Sequence, residues 1–239
     1  MTSAPAPEPV PAVPYGTPDA PRIAVRGEAH LEVDPEIARI DITVTARGMD
    51  RRSALDDLTR RNARVLDLVK SYGQAVEHLE TGAFSIAPEP TRHGRGERVR
   101  TYHGAVRLTA ELSDFTALGE LTTRLADLEL TRVDGPWWSL RPGSPAHREA
   151  RRQAVQEAVQ RAREYAEALG TSLTALVEIA DIGVEGAPPR PQAPGRMRAM
   201  AAYGGPAPQD EAAPLDLEPE RQHVHAQLDA RFTMAPPRL

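Results

Sequence analysis

Hydrophobic and polar residues alternate along seven segments of this chain, the pattern of half-buried β-strands. These segments are residues 22–33, 38–45, 76–87, 98–112, 130–140, 173–182 and 221–234. Three other segments repeat hydrophobic residues with the period of an α-helix: residues 53–72, a short run that begins at Ser113 or Asp114, and residues 144–170. The order β-β-α-β-β-α-β-α-β-β predicts an α+β fold in two layers, with helices on one face of a mainly antiparallel sheet.

The longest helical pattern has an inner face of small residues. Ala150, Ala154, Ala158 and Ala162 recur at every fourth position, and Tyr165, Ala166 and Leu169 continue the stripe. Small residues let a helix axis lie close to a sheet, so we expect this helix to pack tightly. Ser144 is a suitable N-cap, Pro145 suits the first helical position, and Gly170 suits the left-handed residue after the last turn.

Breaks in the pattern predict the connections and the domain limits. Asp34-Pro35 separates the first two strands, which we predict to form an antiparallel hairpin. Residues 183–219 are rich in Pro and Gly, and we interpret them as an insertion between two paired strands rather than a domain linker. Residues 1–20 and 236–239 are predicted tails, the first of them rich in Pro and Ala and disordered, so that one domain covers residues 21–235.

Composition excludes several classes of function. The 239 residues are 40% hydrophobic and 26% charged, as in soluble globular proteins. A net charge of −5 gives no basic field for nucleic acid, and no stretch approaches the ~20 apolar residues of a membrane span. The absence of Cys excludes disulfides and Cys-ligated zinc. The first residues lack a signal-like apolar run, so we predict a cytoplasmic protein.

The sequence carries no catalytic signature that we can identify. It has no Gly-x-Ser-x-Gly, no P-loop and no dinucleotide fingerprint, so we predict a protein that is not an enzyme and needs no cofactor. His223 and His225 share one strand face, where two histidines can ligate zinc or copper if a third ligand converges. The sequence supplies no such ligand at a fixed spacing, so solvent-facing histidines are the favoured interpretation.

Three segments are candidates for an interaction surface. Trp137 and Trp138 are adjacent on a strand and point to opposite faces, so we expect one in the core and the other covered by the insertion or a partner subunit, or left exposed. A basic loop can bind an anion, although a hairpin tip is its favoured interpretation, and a short piece of the insertion can dock, although a mobile loop is favoured there. These residues are Arg92, Arg95 and Arg98 in the loop, and Arg196, Met197 and Arg198 in the insertion.

An ordered set of segments resembles the SIMPL-domain family. A strand with a Gly precedes an Asp-Pro turn, a Thr-x-x-Phe-x-Ile-x-Pro strand follows, and a helix with Ala at every fourth position ends in Leu-Gly. The matching residues are Gly27, Asp34, Pro35, Thr81, Phe84, Ile86, Pro88, Ala150 and Gly170, and the final strand at 221–234 matches as well. The fourth strand departs slightly, because it opens with Tyr102-His103-Gly104 where the family has Gly before Tyr. The resemblance covers about residues 22–235.

The resemblance implies a two-lobed α+β unit and no established catalytic residues. Some exported members are similar to ring- or channel-like homo-oligomers, most studied bacterial relatives are periplasmic or secreted, and some are linked to oxidative-stress tolerance. A eukaryotic relative is associated with a signalling kinase. This chain departs from the exported members by its lack of a signal-like segment.

The leading hypothesis is a non-enzymatic, stress-related protein that acts as a homo-oligomer or through a protein partner. The alternative is a small-ligand-binding module with a pocket between the sheet and the 183–219 insertion. A hydrolase with an unrecognised site is the third.

Overall fold

The computed structural model describes residues 16–90, 99–181 and 213–238, and it confirms the α+β class and the predicted order of elements. The strands are β1 (Arg22–Val33), β2 (Ile37–Gly48), β3 (Val76–Pro90), β4 (Val99–Leu112), β5 (Thr131–Ser139), β6 (Leu173–Asp181) and β7 (Gln222–Met234). The helices are α1 (Arg51–Ser71), α2 (Phe115–Ala126) and α3 (Pro145–Ala168), with a short 3-10 turn at Gly73–Ala75. None of the helices in the described residues has the length and apolarity that a membrane crossing requires.

The described strands form two sheets, which belong to two compact units of the chain. One sheet has the order β1-β7-β6, and the other has the order β3-β4-β2-β5. The three-stranded unit contains β1, α3, β6 and β7, and the four-stranded unit contains β2 to β5 with α1 and α2. The predicted hairpin of β1 with β2 is wrong, because β2 pairs with β4 along one edge and with β5 along the other and has no edge left for β1.

In the four-stranded unit, aliphatic side chains from the sheet pack against α1 and α2. Asp50 caps α1, since its side chain accepts hydrogen bonds from the N–H groups of Arg52 and Ser53, and Ser53 completes a capping box. Asp114 caps α2 in the same way. The largest fully buried side chains are Ile40, Ile42, Val44, Val65, Val69, Leu108, Leu112, Leu118, Leu121 and Leu125. Among the described residues, none of the fully buried side chains of this core is aromatic.

In the three-stranded unit, α3 lies unusually close to the sheet. Ala154, Ala158 and Ala162 are at most 1% exposed and pack against Val25 and Ala29 of β1 and against apolar side chains of β7. Gly27 makes this approach possible, because a Cβ there would lie 2.0 Å from the carbonyl oxygen of Ala154. The alanine stripe is therefore a close-packing surface.

The two ends of α3 form as the sequence predicts. The Ser144 hydroxyl accepts a hydrogen bond from the Ala146 N–H at 3.2 Å, and Pro145 occupies the first turn. Gly170 has a φ of 68°, in the left-handed region. The N–H of Thr171 donates to the carbonyl of Ala166 at 2.9 Å, which closes the last turn. The apolar stripe is narrower than predicted, because Tyr165 and Leu169 are exposed.

The predicted insertion does connect two paired strands, since β6 and β7 are antiparallel neighbours. Most of it, residues 183–212, lies outside the described residues. The described end of it packs on α2 in the four-stranded unit, where the Leu215 N–H donates to the Thr123 hydroxyl at 3.0 Å and Leu217 joins the hydrophobic core. The predicted pocket between sheet and insertion stays a prediction.

Candidate functional site

The two adjacent tryptophans of β5 have opposite environments, as strand alternation predicts. Trp138 packs on the core of the four-stranded unit, and its ring meets that of Phe115 edge-on with centroids 4.8 Å apart. Trp137 is 44% exposed, and the guanidinium carbon of Arg39 lies 5.2 Å from the centroid of its ring. Trp137 is therefore the member of the pair that is available for contact, although it already has one partner in its own chain.

The other predicted interaction residues fall where the structure gives no description. Arg92, Arg95 and Arg98 of the basic loop lie outside the described residues, and so do Arg196, Met197 and Arg198 of the insertion. The antiparallel pairing of β3 with β4 confirms that the basic loop connects two neighbouring strands. The proposed roles of these six residues stay predictions.

A groove opens in the three-stranded unit because α3 covers β1 and β7 but leaves β6 largely uncovered. The floor of the groove is formed by Val224, Ala226 and Leu228 of β7. His147, Arg151 and Val155 of α3 line one wall, and Ile179 and Asp181 of β6 line the other. The groove has a volume of ≈ 550 Å³ and an apolar floor. Its two walls carry opposite charges, Arg151 on the α3 wall and Asp181 on the β6 wall.

β6, whose residues Ile179 and Asp181 form one wall of the groove, carries several exposed apolar side chains. Leu176, Val177 and Ile179 are 55%, 40% and 48% exposed, and Val155 across the groove is 37% exposed. Leu176 is paired with Phe232 and Ile179 with Ala230, so both side chains point to the face that α3 covers elsewhere. We call Leu176, Val177 and Ile179 the β6 strip.

The β6 strip is absent from the predicted interaction residues, although the sequence carries a signal for it. Ala175, Leu176 and Val177 are three consecutive apolar residues in a strand that was taken to have one polar face. The pairing register shifts between Leu173 and Ala175 and again between Leu176 and Glu178, and each shift changes which side chains share a face. A strand with apolar residues on both faces is typical of one that is covered on both sides.

The opposite face of the same sheet carries a ladder of polar pairs between β1 and β7. Arg26 donates to Asp229, with Nε 2.9 Å from Oδ1, and Gln227 donates to the carboxylate of Glu28. The next pair is His30 with His225. Residue numbers rise along β1 as they fall along β7, so these two strands run antiparallel. The Arg26 guanidinium holds the pKa of the Asp229 carboxyl below its usual value.

The two histidine rings of the ladder are in direct contact. Their Nδ1 atoms are 3.2 Å apart, and the ring centroids are 4.3 Å apart with an angle of 35° between the planes. Both residues are exposed. His30 can be grouped with His225 only once β1 is known to pair with β7, and the periodicity of the two strands does not specify that pairing.

Arginines line a second cavity, in the four-stranded unit. Arg60, Arg61 and Arg64 of α1 face Glu129 around a volume of ≈ 360 Å³. Arg61 is held in place by Asp57, whose Oδ2 lies 2.8 Å from Nε, and the Arg61 side chain is only 21% exposed. Because a carboxylate already neutralises Arg61, this cavity is a weaker candidate for anion binding than its arginines alone suggest.

The Asp57–Arg61 pair gives a pH-dependent contribution to stability. The hydrogen bond from Arg61 lowers the pKa of the Asp57 carboxyl in the folded state. The contribution of the pair to stability is therefore present above the pKa of about 3.9 that an Asp has in the unfolded chain. It is lost as pH falls through the pKa of Asp57 in the folded protein. We expect the free energy of unfolding of Asp57→Asn to fall less steeply in acid than that of the wild type. The difference should be less than about 1 kcal/mol, because the pair lies near the surface. Urea unfolding of both proteins from neutral pH to about pH 3 measures it, and parallel curves would contradict the prediction.

Two curated proteins are similar to most of the chain. They are the 26 kDa periplasmic immunogenic proteins of Brucella melitensis and Brucella abortus, each 26% identical over 190 residues that cover 76% of this chain and 74% of the relative. Among solved structures, a putative amidohydrolase/peptidase from Burkholderia cenocepacia is 19% identical, and the match covers 56% of this chain and 33% of that chain with a TM-score of 0.23. A TM-score this low supports no conclusion about this chain.

The predicted cytoplasmic location is contradicted by these relatives. Both Brucella proteins are named as periplasmic, which points to the periplasm instead. The prediction depended on the lack of a signal-like segment in the first residues, and that lack does not determine the compartment. The absence of Cys also fails to separate the two compartments, because a protein without Cys is chemically compatible with either.

The match to a family model agrees with the fold and with the resemblance noted from the sequence. The model describes the SIMPL family, a protein of unknown function (DUF541), and it matches residues 23–232. The matched region begins in β1 and ends in β7, so the described helices and the strands β2 to β6 all lie within it. The chain therefore belongs to the SIMPL family.

Proposed function

We propose that this protein acts by binding protein chains, and that the groove of the three-stranded unit is an interface with a second copy of the chain. The observation that carries the proposal is the β6 strip, which places three partly exposed apolar side chains along one edge strand. We also propose that the protein works in the periplasm, because its two Brucella relatives are named as periplasmic. A role in stress tolerance, implied by the resemblance, stays a prediction.

The exposed edge of β6 supports a protein partner. An edge strand has one row of backbone N–H and C=O groups that no strand of its own sheet pairs, and proteins usually protect such edges with charge, Pro or a covering element. β1, at the other edge, lies under α3, and its Glu28 N–H donates to the Glu157 carboxylate at 3.2 Å. The described residues place no comparable cover over the β6 strip. Contact with another chain would remove this apolar surface from water.

The charges at the groove support a second copy as that partner. Arg151 lies on the α3 wall and Asp181 on the β6 wall. In a two-fold symmetric dimer, a contact between one residue and another occurs twice with the roles exchanged. A surface that carries both signs on opposite walls is therefore suited to meet itself. The apolar residues between the walls, Val155 and Ile179, would occupy the centre of the contact, where interfaces are least charged.

We also propose that the role is binding and not catalysis. Five carboxyl groups in the described residues have a lowered pKa, and an arginine or a helix N-terminus explains each of them. These residues are Asp50, Asp57, Glu77, Glu149 and Asp229. None of them lines the groove. A catalytic acid or base is usually shifted by a cleft environment, which these five do not have.

Replacing two residues of the β6 strip with charged residues tests the interface. We expect Leu176→Asp with Ile179→Asp to convert the assembled protein to a monomer of 26.0 kDa, because two carboxylates would have to be buried at the contact. Light scattering after gel filtration measures the mass. Phe84→Asp is the matched control, since Phe84 is 57% exposed on the edge strand β3 of the other sheet, and this variant should assemble as the wild type does.

Two results would contradict the proposed interface. A wild-type protein that stays monomeric at high concentration would exclude assembly. If Phe84→Asp dissociates the protein and the double variant of the β6 strip does not, the contact lies in the four-stranded unit.

A small apolar ligand in the same groove is the second candidate. The volume of ≈ 550 Å³ lies within the range of about 300–1,000 Å³ typical of ligand pockets, and the floor is apolar. Native mass spectrometry of protein purified from its own cells distinguishes the candidates. A bound small mass on a monomer favours the ligand, and multiples of the chain mass without added ligand favour the interface.

A further inference from the structure

We propose that His30 and His225 form a binding site for a divalent transition-metal ion of the zinc or copper class, on the face of the three-stranded sheet opposite the groove. Neither residue belongs to the β6 strip. His225, as a residue of β7, also lines the groove, but ion binding by the two rings does not require the proposed interface. It differs from the pair considered in the sequence analysis, because its two ligands come from neighbouring strands and not from one strand.

The separation of the two ring nitrogens fits such an ion. Zinc binds histidine nitrogen at about 2.0–2.1 Å, and a tetrahedral angle then places two ligating nitrogens about 3.3–3.4 Å apart. The Nδ1 atoms of His30 and His225 are 3.2 Å apart. Square-planar Cu(II) places adjacent ligands somewhat closer, and the observed separation lies between these two geometries. The separation is therefore compatible with one ion bound to both nitrogens once the rings turn their lone pairs towards it.

The contact between the rings contains one proton that an ion would replace. Two Nδ1 atoms at hydrogen-bond distance require that one carries hydrogen and the other accepts it. When an ion binds both Nδ1 lone pairs, the donor ring keeps its proton by moving it to Nε2. Each neutral ring therefore keeps one proton, on Nε2, when the ion binds. In acid, a further proton occupies the Nδ1 atom that the ion needs, so metal binding weakens as pH falls.

The surroundings favour a cation at this position. Glu28 lies at the neighbouring rung of the ladder, where its carboxylate accepts a hydrogen bond from Gln227. At the next rung, Arg26 and Asp229 neutralise each other. Glu28, Arg26 and Asp229 together give this side of the histidine pair one net negative charge. On the other side, Glu32 of β1 lies 4.0 Å from Arg221, and His223 is the next residue on the same face of β7.

Both strands hold the two rings in place while solvent completes the coordination. The rings are on paired strands of one sheet, so the backbone fixes their spacing before any ion binds. Among the described residues there is no group of three His, Cys, Asp or Glu side chains arranged to hold a metal, so water supplies the remaining ligands. Two protein ligands and an exposed position predict reversible binding of moderate strength.

Calorimetric titration with zinc chloride and with copper chloride tests the site. The full chain must be free of a histidine tag, and the buffer should be at about pH 7.5 and then at about pH 5.5, where protons compete with the metal. We expect one ion to bind each chain at the higher pH and weaker binding at the lower. His30→Ala and His225→Ala should each weaken binding at least about tenfold, the smallest loss seen when groups that merely orient a metal ligand are removed.

His223→Ala is the matched control, because His223 is exposed on the same face of β7, two residues from His225. We expect this variant to bind the ion as the wild type does. Circular dichroism checks that all variants keep the unfolding midpoint of the metal-free wild type. No heat with the wild type at either pH would overturn the proposal. Equal losses in His223→Ala and His30→Ala would also overturn it, because the ion would then not be held by the His30–His225 pair alone.

Discussion

Gly27→Ala is expected to destabilise the three-stranded unit by about 3 kcal/mol or more, at the upper end of the cost of overpacking a core. The added Cβ would lie 2.0 Å from the carbonyl oxygen of Ala154 and 2.7 Å from the Cβ of Ala158. Carbon atoms do not approach other heavy atoms so closely, so β1 and α3 must separate by about 1 Å, and the nearest obstacle is helix backbone that cannot rotate away.

The backbone at Gly27 does not explain the expected effect, since its φ lies outside the region that favours glycine. Space alone is limiting. Gly143→Ala is therefore the matched control, because a Cβ at Gly143 would have no neighbour within 4 Å. We expect this control to leave stability unchanged or to raise it by up to about 1 kcal/mol, through the lower entropy of the unfolded chain.

Urea unfolding followed by circular dichroism measures the free energy of unfolding of both glycine variants. A Gly27→Ala protein as stable as the Gly143→Ala protein would mean that α3 does not lie on β1 as the structure has it.

Ala158→Leu is expected to destabilise the protein by roughly 1–3 kcal/mol, also by overpacking. Ala158 is 1% exposed and lies opposite Gly27, so the three added heavy atoms have no space to enter. Ala168→Leu makes the same chemical change at an exposed position of the same helix, and we expect it to alter stability by no more than about 0.5 kcal/mol. Urea unfolding of these two variants and the wild type compares the sites directly.

The two overpacking changes should not add, because they act on one contact. Once Gly27→Ala has separated α3 from β1, Ala158→Leu finds part of its space already open. The double variant is therefore expected to be less destabilised than the two single variants predict together. Simple additivity would show that the two positions do not share a contact.

The sequence predicts the local structure of this chain well, because each helix and strand depends on its own periodicity and its own caps. The limits of β1 agree with the structure at both ends, and Ser144, Pro145 and Gly170 mark α3 correctly. The alanine stripe also indicates close packing before any partner is known. These features depend on residues that are near one another in the chain.

The features that failed depend on which strands are neighbours. Asp34-Pro35 suggests a hairpin, yet both edges of β2 are taken by β4 and β5, and nothing near the turn encodes that competition. The His30–His225 pair and the exposed β6 strip follow from the strand order β1-β7-β6, which periodicity does not specify. The His30–His225 pair was therefore beyond the reach of the local pattern, whereas the three consecutive apolar residues of β6 gave a partial signal for the β6 strip.

The central position of β7 has a consequence for how the chain folds. Among the described strands, β1 is made first and pairs with β7, which is made last. At about 5–20 residues per second, roughly 10–40 s of synthesis separate the end of β1 from the start of β7. The four-stranded sheet can assemble from consecutive segments during that interval, whereas β1 waits with its apolar face unpaired. The three-stranded sheet is thus a slow, long-range closure, and errors in the folding of this chain should concentrate on β1.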